Sequence, residues 1–249
     1  MRSLMTLFLT FSIFVFSILN LAFLDSLGFS QTLSGKEILN RVEKNLNFDS
    51  GYIEMEILDY KDNKFNRSFV VDVLFDLNSG TLMEFKSPPR EKGKKILLIK
   101  DSMWMYVPGV SRPVRLSAKD NFMGTSIENK ELLDYKMSDD YEVEVISNDT
   151  SSYVLELKAN TASVPYPRVI LAVDKSTFLP TRMEFYTLSG KLIKYMVFSD
   201  VKEIGGKLRP TVYEMRDVLT EGNFTKIVFN KLESRKVPSR IFSLENLTK

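Results

Sequence analysis

Any nucleophilic or acid–base chemistry in this chain would have to come from hydroxyls, carboxylates and amines, because its 249 residues include neither histidine nor cysteine. Those absences remove thiol catalysis, imidazole acid–base work and the common zinc and copper sites. Ser199 and Lys202, in SDVK, have the Ser-x-x-Lys spacing of some serine acyl-enzymes. That chemistry needs both side chains on one helical face, whereas the local alternation predicts a strand that sends them to opposite faces. A hydrolase built on Ser199 is therefore the remote reading. Asp139, Asp140, Glu142 and Glu144 are of the ligand type for a hard cation, and equally of the type for a solvated strand face. IGGK, at 204–207, is too short and wrongly placed for a phosphate loop. No catalytic residue, metal or cofactor is expected, and the chain reads as a non-enzyme.

Recognition is the remaining kind of function. Arg112 and Arg115 flank a turn in PGVSRPVR. Their guanidinium forks suit a lipid head group or an acidic partner, and they equally suit a solvated hairpin end. A nucleic-acid surface is not expected, because the net charge is only +2 and acids and bases are interspersed.

The N-terminal stretch stands apart. Leu4 to Leu24 carries no charge, Asp25 ends the run, and Gly28 and Ser30 supply small residues at the −3 and −1 positions before Gln31. Residues 1–30 read as a secretory signal peptide. The apolar run is also long enough to cross a bilayer, so an uncleaved anchor is the rival reading. Residues 31–249 are expected to form a single domain, exported to a compartment that permits disulfides yet using none.

SGKEILNRVEKNL opens that domain. Ser34 and Glu37 form a capping box, and Ile38, Leu39, Val42 and Leu46 recur on one helical face. The period then changes to two. Ile53, Met55 and Ile57 alternate with Glu54 and Glu56, and Phe69, Val71, Val73 and Phe75 share a face opposite Asp72 and Asp76. About a dozen such segments follow, separated by Asn, Asp, Ser, Gly or Pro at hairpin spacing. A short helical signal, SIENKELL, interrupts them, and VPSRIFSLENL closes the chain with a helical turn. The expected class is mainly β (α+β): a large, curled antiparallel sheet with few helices.

Several strands break the usual pattern of one wet face. ILLI (96–99), MWMYV (103–107) and VILAV (169–173) are apolar on both faces, and LIKYMVF (192–198) fails only at Lys194. If these strands are neighbours, the sheet has a strip that is apolar on both sides. One side belongs to the core, and the other needs cover from helices, a partner or a membrane. Plain burial explains such residues. A concave cavity open to an acyl chain explains them too, and methionine, which repacks around variable ligands, suits its lining. Phe122 and Met123 stand in an otherwise polar loop, NFMGTS, either as a flap at a cavity mouth or tucked into the core.

From Phe85 onward the sequence resembles the bacterial outer-membrane lipoprotein-sorting proteins, the LolA-like group. The resembling residues are Ser87-Pro88-Pro89 with Gly93, Trp104-x-Tyr106-x-Pro108, Arg112 to Arg115, Phe122-Met123-Gly124 with Ser126, an acid at Glu131 or Asp134, Leu179-Pro180 and Ser189-Gly190-Lys191. The resemblance implies an unclosed β-barrel with helices as a lid over a hydrophobic cavity. It further implies periplasmic residence and non-enzymatic carriage of lipid or lipoprotein cargo, with an inner-membrane transporter as the possible partner. On that reading Met83, Phe85, Leu97, Met103, Trp104, Met105, Tyr106, Phe122 and Met123 are the candidate cavity residues, and Arg112 and Arg115 the candidate head-group or partner contacts. The alternative is an accessory subunit of an exporter that binds a protein and carries nothing.

Overall fold

The computed structural model describes residues 33–248 apart from 101, 118, 134–136 and 162–163. The expected signal peptide, and Asp134 of the resembling residues, lie outside the described residues. Helix α1 spans Gly35–Leu46. Its capping box is formed: Ser34 Oγ accepts the Glu37 N–H at 3.3 Å, and Glu37 Oε2 accepts the Ser34 N–H at 2.8 Å. The helix packs on its apolar face, with Ile38, Leu39 and Val42 buried. Gly35 permits the close approach, since a Cβ there would stand 2.8 Å from the Val143 carbonyl oxygen.

The strands are β1 (Ser50–Lys61), β2 (Lys64–Asp76), β3 (Gly80–Ser87), β4 (Lys95–Ile99), β5 (Ser102–Tyr106) and β6 (Val114–Leu116), followed by β7 (Tyr141–Asn148), β8 (Ser152–Ala159), β9 (Arg168–Asp174), β10 (Pro180–Tyr186), β11 (Leu192–Ile204), β12 (Lys207–Asp217) and β13 (Phe224–Ser234). All thirteen belong to one antiparallel sheet in the order β6-β5-β4-β3-β2-β1-β13-β12-β11-β10-β9-β8-β7. The chain thus builds two meanders and joins them at the centre through β1 and β13. Because β6 and β7 are the two free edges, the barrel is unclosed. The stretch between them, 117–140, carries a 3-10 turn at Phe122–Gly124 and the five-residue helix α2 (Asn129–Leu133). After β13 the chain ends in another 3-10 turn, Ser239–Ile241, and helix α3 (Leu244–Leu247).

Register separates the two faces. On the concave face a cross-strand row runs Met105, Ile96, Met83, Val73, Ile53, Leu232. On the convex face the parallel row runs Trp104, Leu97, Leu82, Leu74, Tyr52. The cover for this second apolar face is the C-terminal segment. Val237, Phe242 and Leu247 are buried against Leu97, with Trp104, Tyr106, Leu82 and Leu74 packed around them. Elsewhere the convex face mixes polar side chains with apolar ones such as Ile170 and Val197, and is stitched by cross-strand ion pairs such as Arg168–Glu156 at 2.5 Å and Lys226–Glu214 at 2.9 Å. The strands that are apolar on both faces do not form one strip. β4 and β5 are neighbours, whereas β9 and β11 lie in the other meander with β10 between them.

Candidate functional site

Two cavities open on the concave face. The larger, about 300 Å³, has its apolar wall in Ile53, Met55, Val73, Phe75, Tyr213, Phe229 and Leu232. These residues come from β1, β2, β12 and β13, the centre of the sheet where the two meanders meet. Leu46 to Phe48, at the end of α1, form part of its lining, with the β2–β3 turn (77–79), Asp76, Lys100 and Arg209 among the rest. The smaller, about 120 Å³, lies beneath Leu39 and Val42 of α1, against Leu171, Phe185, Met196 and Phe198. Leu46 and Tyr213 line both. Tyr213 is buried, which pushes its phenol up to about 12.

Helix α1 is held over these cavities at its C-terminal end. Arg209 Nη1 donates to the Leu46 carbonyl at 2.7 Å and Nη2 to that of Asn45 at 3.1 Å. Lys207 Nζ donates to the carbonyls of Lys44 and Asn47 at 2.8 and 3.1 Å. Two cations thus satisfy carbonyls that the helix leaves open, at the negative end of its dipole. Glu43 ties the helix to the 117–140 stretch, accepting from the backbone N–H groups of Met137 and Ser138 at 2.7 and 2.8 Å.

A second polar group sits at the edge of the smaller cavity. Lys194 Nζ lies 3.2 Å from Glu131 Oε2 and 3.4 Å from Glu128 Oε1. Tyr166 Oη donates toward both carboxylates, at 2.9 Å to Glu128 and 2.7 Å to Glu131. Burial raises the Glu131 carboxyl above its ordinary value, and the Lys194 charge works against that. Burial and the two carboxylates drive the Tyr166 phenol upward as well. The group clamps α2 to β11 and to the 164–167 turn. Its signal in the sequence was Lys194, the one charge in the otherwise apolar segment LIKYMVF.

The candidate cavity residues are not brought together. Met83, Phe85 and Met103 are buried on the concave face, and Met105 stands half-buried in the same row. Leu97, Trp104 and Tyr106 belong to the convex cluster under the C-terminal segment, so they face away from both cavities. One residue of register separates the two sets. Phe122 is core: it is fully buried, parallel to Phe85 at 5.8 Å between centroids, and edge-on to Phe69 at 6.1 Å. Met123 beside it adopts a left-handed conformation (φ 48°), its carbonyl accepting from Arg67, which also pairs with the buried Asp59 at 3.5 Å. None of the nine lines either cavity. Arg112 and Arg115 are exposed and line neither; Arg115 lies over the Trp104 ring at 5.9 Å.

The residues that do line the larger cavity were legible only in part. RPTVYEM alternates, placing Arg209, Thr211, Tyr213 and Met215 on one buried face. An arginine on the apolar face of a strand was the signal for Arg209. Lys202, of the Ser-x-x-Lys pattern, is exposed and pairs with Asp200 at 2.6 Å. Among the described residues no cluster of acids is placed to hold a metal, and no helix is long and apolar enough to cross a membrane.

Known structures share this architecture. A LolA superfamily protein from Nitrosomonas europaea superposes with a TM-score of 0.77 at 27% identity, covering 86% of this chain and 99% of its own. A domain described as that of an outer-membrane lipoprotein-sorting protein, from Vibrio parahaemolyticus, gives 0.74 at 21% identity over 86% of this chain and 98% of that one. A DUF1329 family protein from Desulfovibrio piger gives 0.75 at 23% identity over 86% and 97%. No curated protein matches in sequence. A protein-family model described as "Uncharacterized protein" matches residues 78–249. The chain belongs to that family, and its fold is the unclosed, LolA-like β-barrel.

Proposed function

We propose that the protein is a periplasmic, non-enzymatic carrier that shelters an acyl chain of a lipid or lipoprotein and hands it on toward the outer membrane. The observation that carries this reading is the larger cavity, about 300 Å³, walled by apolar side chains of the central strands and bordered by the end of α1. That volume stands at the low end of ligand pockets, about 300–1,000 Å³. Burying a chain gains ~0.8 kcal/mol per CH₂. Loosening the packing of Leu46 and Phe48 at the end of α1 offsets part of that gain, so the cargo stays removable. The LolA-like fold supports the same reading.

Native mass spectrometry on protein purified from a bacterial periplasm, with lipid extraction alongside, tests it. A bound mass that extracts as acyl lipid is the expected result. A bare protein mass, unchanged after incubation with phospholipid and acylated peptide, overturns the proposal.

A further inference from the structure

Arg209 borders the larger cavity with its residue only 3% exposed, and its Nε has no hydrogen-bond partner among the described residues. Its other two guanidinium nitrogens are spent on the carbonyls of Leu46 and Asn45. A buried, charge-bearing N–H left without an acceptor is costly to keep unless something supplies one. The same end of the cavity is rich in positive charge. Phe48, part of the lining, has the Arg209 guanidinium 4.7 Å from its ring centroid and Lys207 Nζ 4.6 Å away. Lys100 also lines the cavity. Burial and the neighbouring charges of Arg209 and Lys44 hold the Lys207 amine below its ordinary value, against the pull of Asp49. The acid at this rim, Asp76, is turned into its own turn, where Oδ1 accepts the Asn78 N–H at 3.1 Å.

We propose that this cavity selects amphiphiles with an anionic head, carboxylate or phosphate, the chain lying along Met55, Val73 and Phe229 and the head meeting Arg209, with Lys100 in the same lining and Lys207 adding positive charge over Phe48. The proposal rests on the carrier reading and narrows its cargo. A neutral head could offer the Arg209 Nε an ester or hydroxyl oxygen but would leave the positive charge of Arg209, Lys207 and Lys100 uncompensated. An anionic head answers both through charge-assisted hydrogen bonds.

The test uses the purified full chain and a fluorescent fatty acid, cis-parinaric acid, beside its methyl ester, which has the same chain without the charge. The acid is expected to bind about tenfold more tightly than the ester at neutral pH and low salt. Displacement by oleic acid and by lysophosphatidic acid then separates carboxylate from phosphate as the preferred head. Equal affinity for acid and ester overturns anionic selection and leaves carriage standing. Binding of neither probe removes both proposals. Arg209→Gln is expected to abolish the preference. Because that change also frees the end of α1, the variant Lys100→Gln serves if it does not fold. It should lower the preference about twofold, and an unchanged preference would place the head elsewhere and overturn the assignment.

Discussion

Lys194 Nζ stands 3.2 Å from Glu131 Oε2, with both side chains nearly sealed from solvent, and this pair clamps α2 to β11. Replacing Lys194 by Met strands two buried carboxylates. Breaking a buried pair this way costs about 3–5 kcal/mol, readable as a lower urea midpoint. Lys194→Met/Glu131→Gln together should cost less than Lys194→Met alone, because one of the stranded charges is gone.

The same pair predicts a pH dependence. Burial raises the folded-state value of Glu131 above its ordinary 4.5. The folded state therefore holds that proton at pH values where the unfolded chain has released it. Its contribution to stability is intact below about pH 4.5 and is lost as pH rises toward the raised folded-state value. Glu131→Gln should remove that loss. Thermal midpoints measured from pH 4 upward should show the difference between wild type and variant moving in favour of the variant as pH rises. A constant difference would contradict the assignment.

Trp104 reports on the convex face. It is the chain's only tryptophan, and it packs beside Leu97 under Phe242 and Leu247. Phe242→Ala is expected to cost about 3–5 kcal/mol. Ending the chain at Arg235 should shift the tryptophan emission to the red. Emission unchanged by that truncation would mean the C-terminal segment does not cover this face.

Phe122 separates flap from core. Its ring is fully buried between Phe85 and Phe69. Phe122→Ala should lower stability by about 3–5 kcal/mol, measured by denaturant unfolding. A mobile flap would tolerate the change within about 0.5 kcal/mol.

Arg209 fastens the end of α1 through two hydrogen bonds. Bonds from a charged donor are worth about 1.5–3 kcal/mol each. Arg209→Gln should therefore speed amide exchange in the last turn of α1 well before it speeds exchange in β1 and β13. Uniform acceleration through the sheet would show a global effect instead.

Much of this arrangement could be read from residue order. Ser34 and Glu37 announce the start of α1, and the alternation in GYIEMEILD and FNRSFVVDVLF announces β1 and β2, because capping and pleat periodicity are local. Trp104 and Met103 were separable onto opposite faces for the same reason. Which of those faces is concave was not legible. That follows from the curl of the whole sheet and from where the last residues fold back. Lys194 was visible as an anomaly, but its partners Glu128, Glu131 and Tyr166 are separated from it by long stretches of chain.

The residue order alone settled the class of the protein: one capped amphipathic helix and a long succession of hairpin strands, without histidine or cysteine for chemistry. Strand period and cap geometry are set within a few residues, so they survive without tertiary information. Tertiary contact alone decided that β1 pairs with β13, that the C-terminal segment covers Trp104, and that Arg209 reaches the end of α1. Each of those contacts closes a loop of more than 130 residues, and only the burial of the whole sheet repays that entropy.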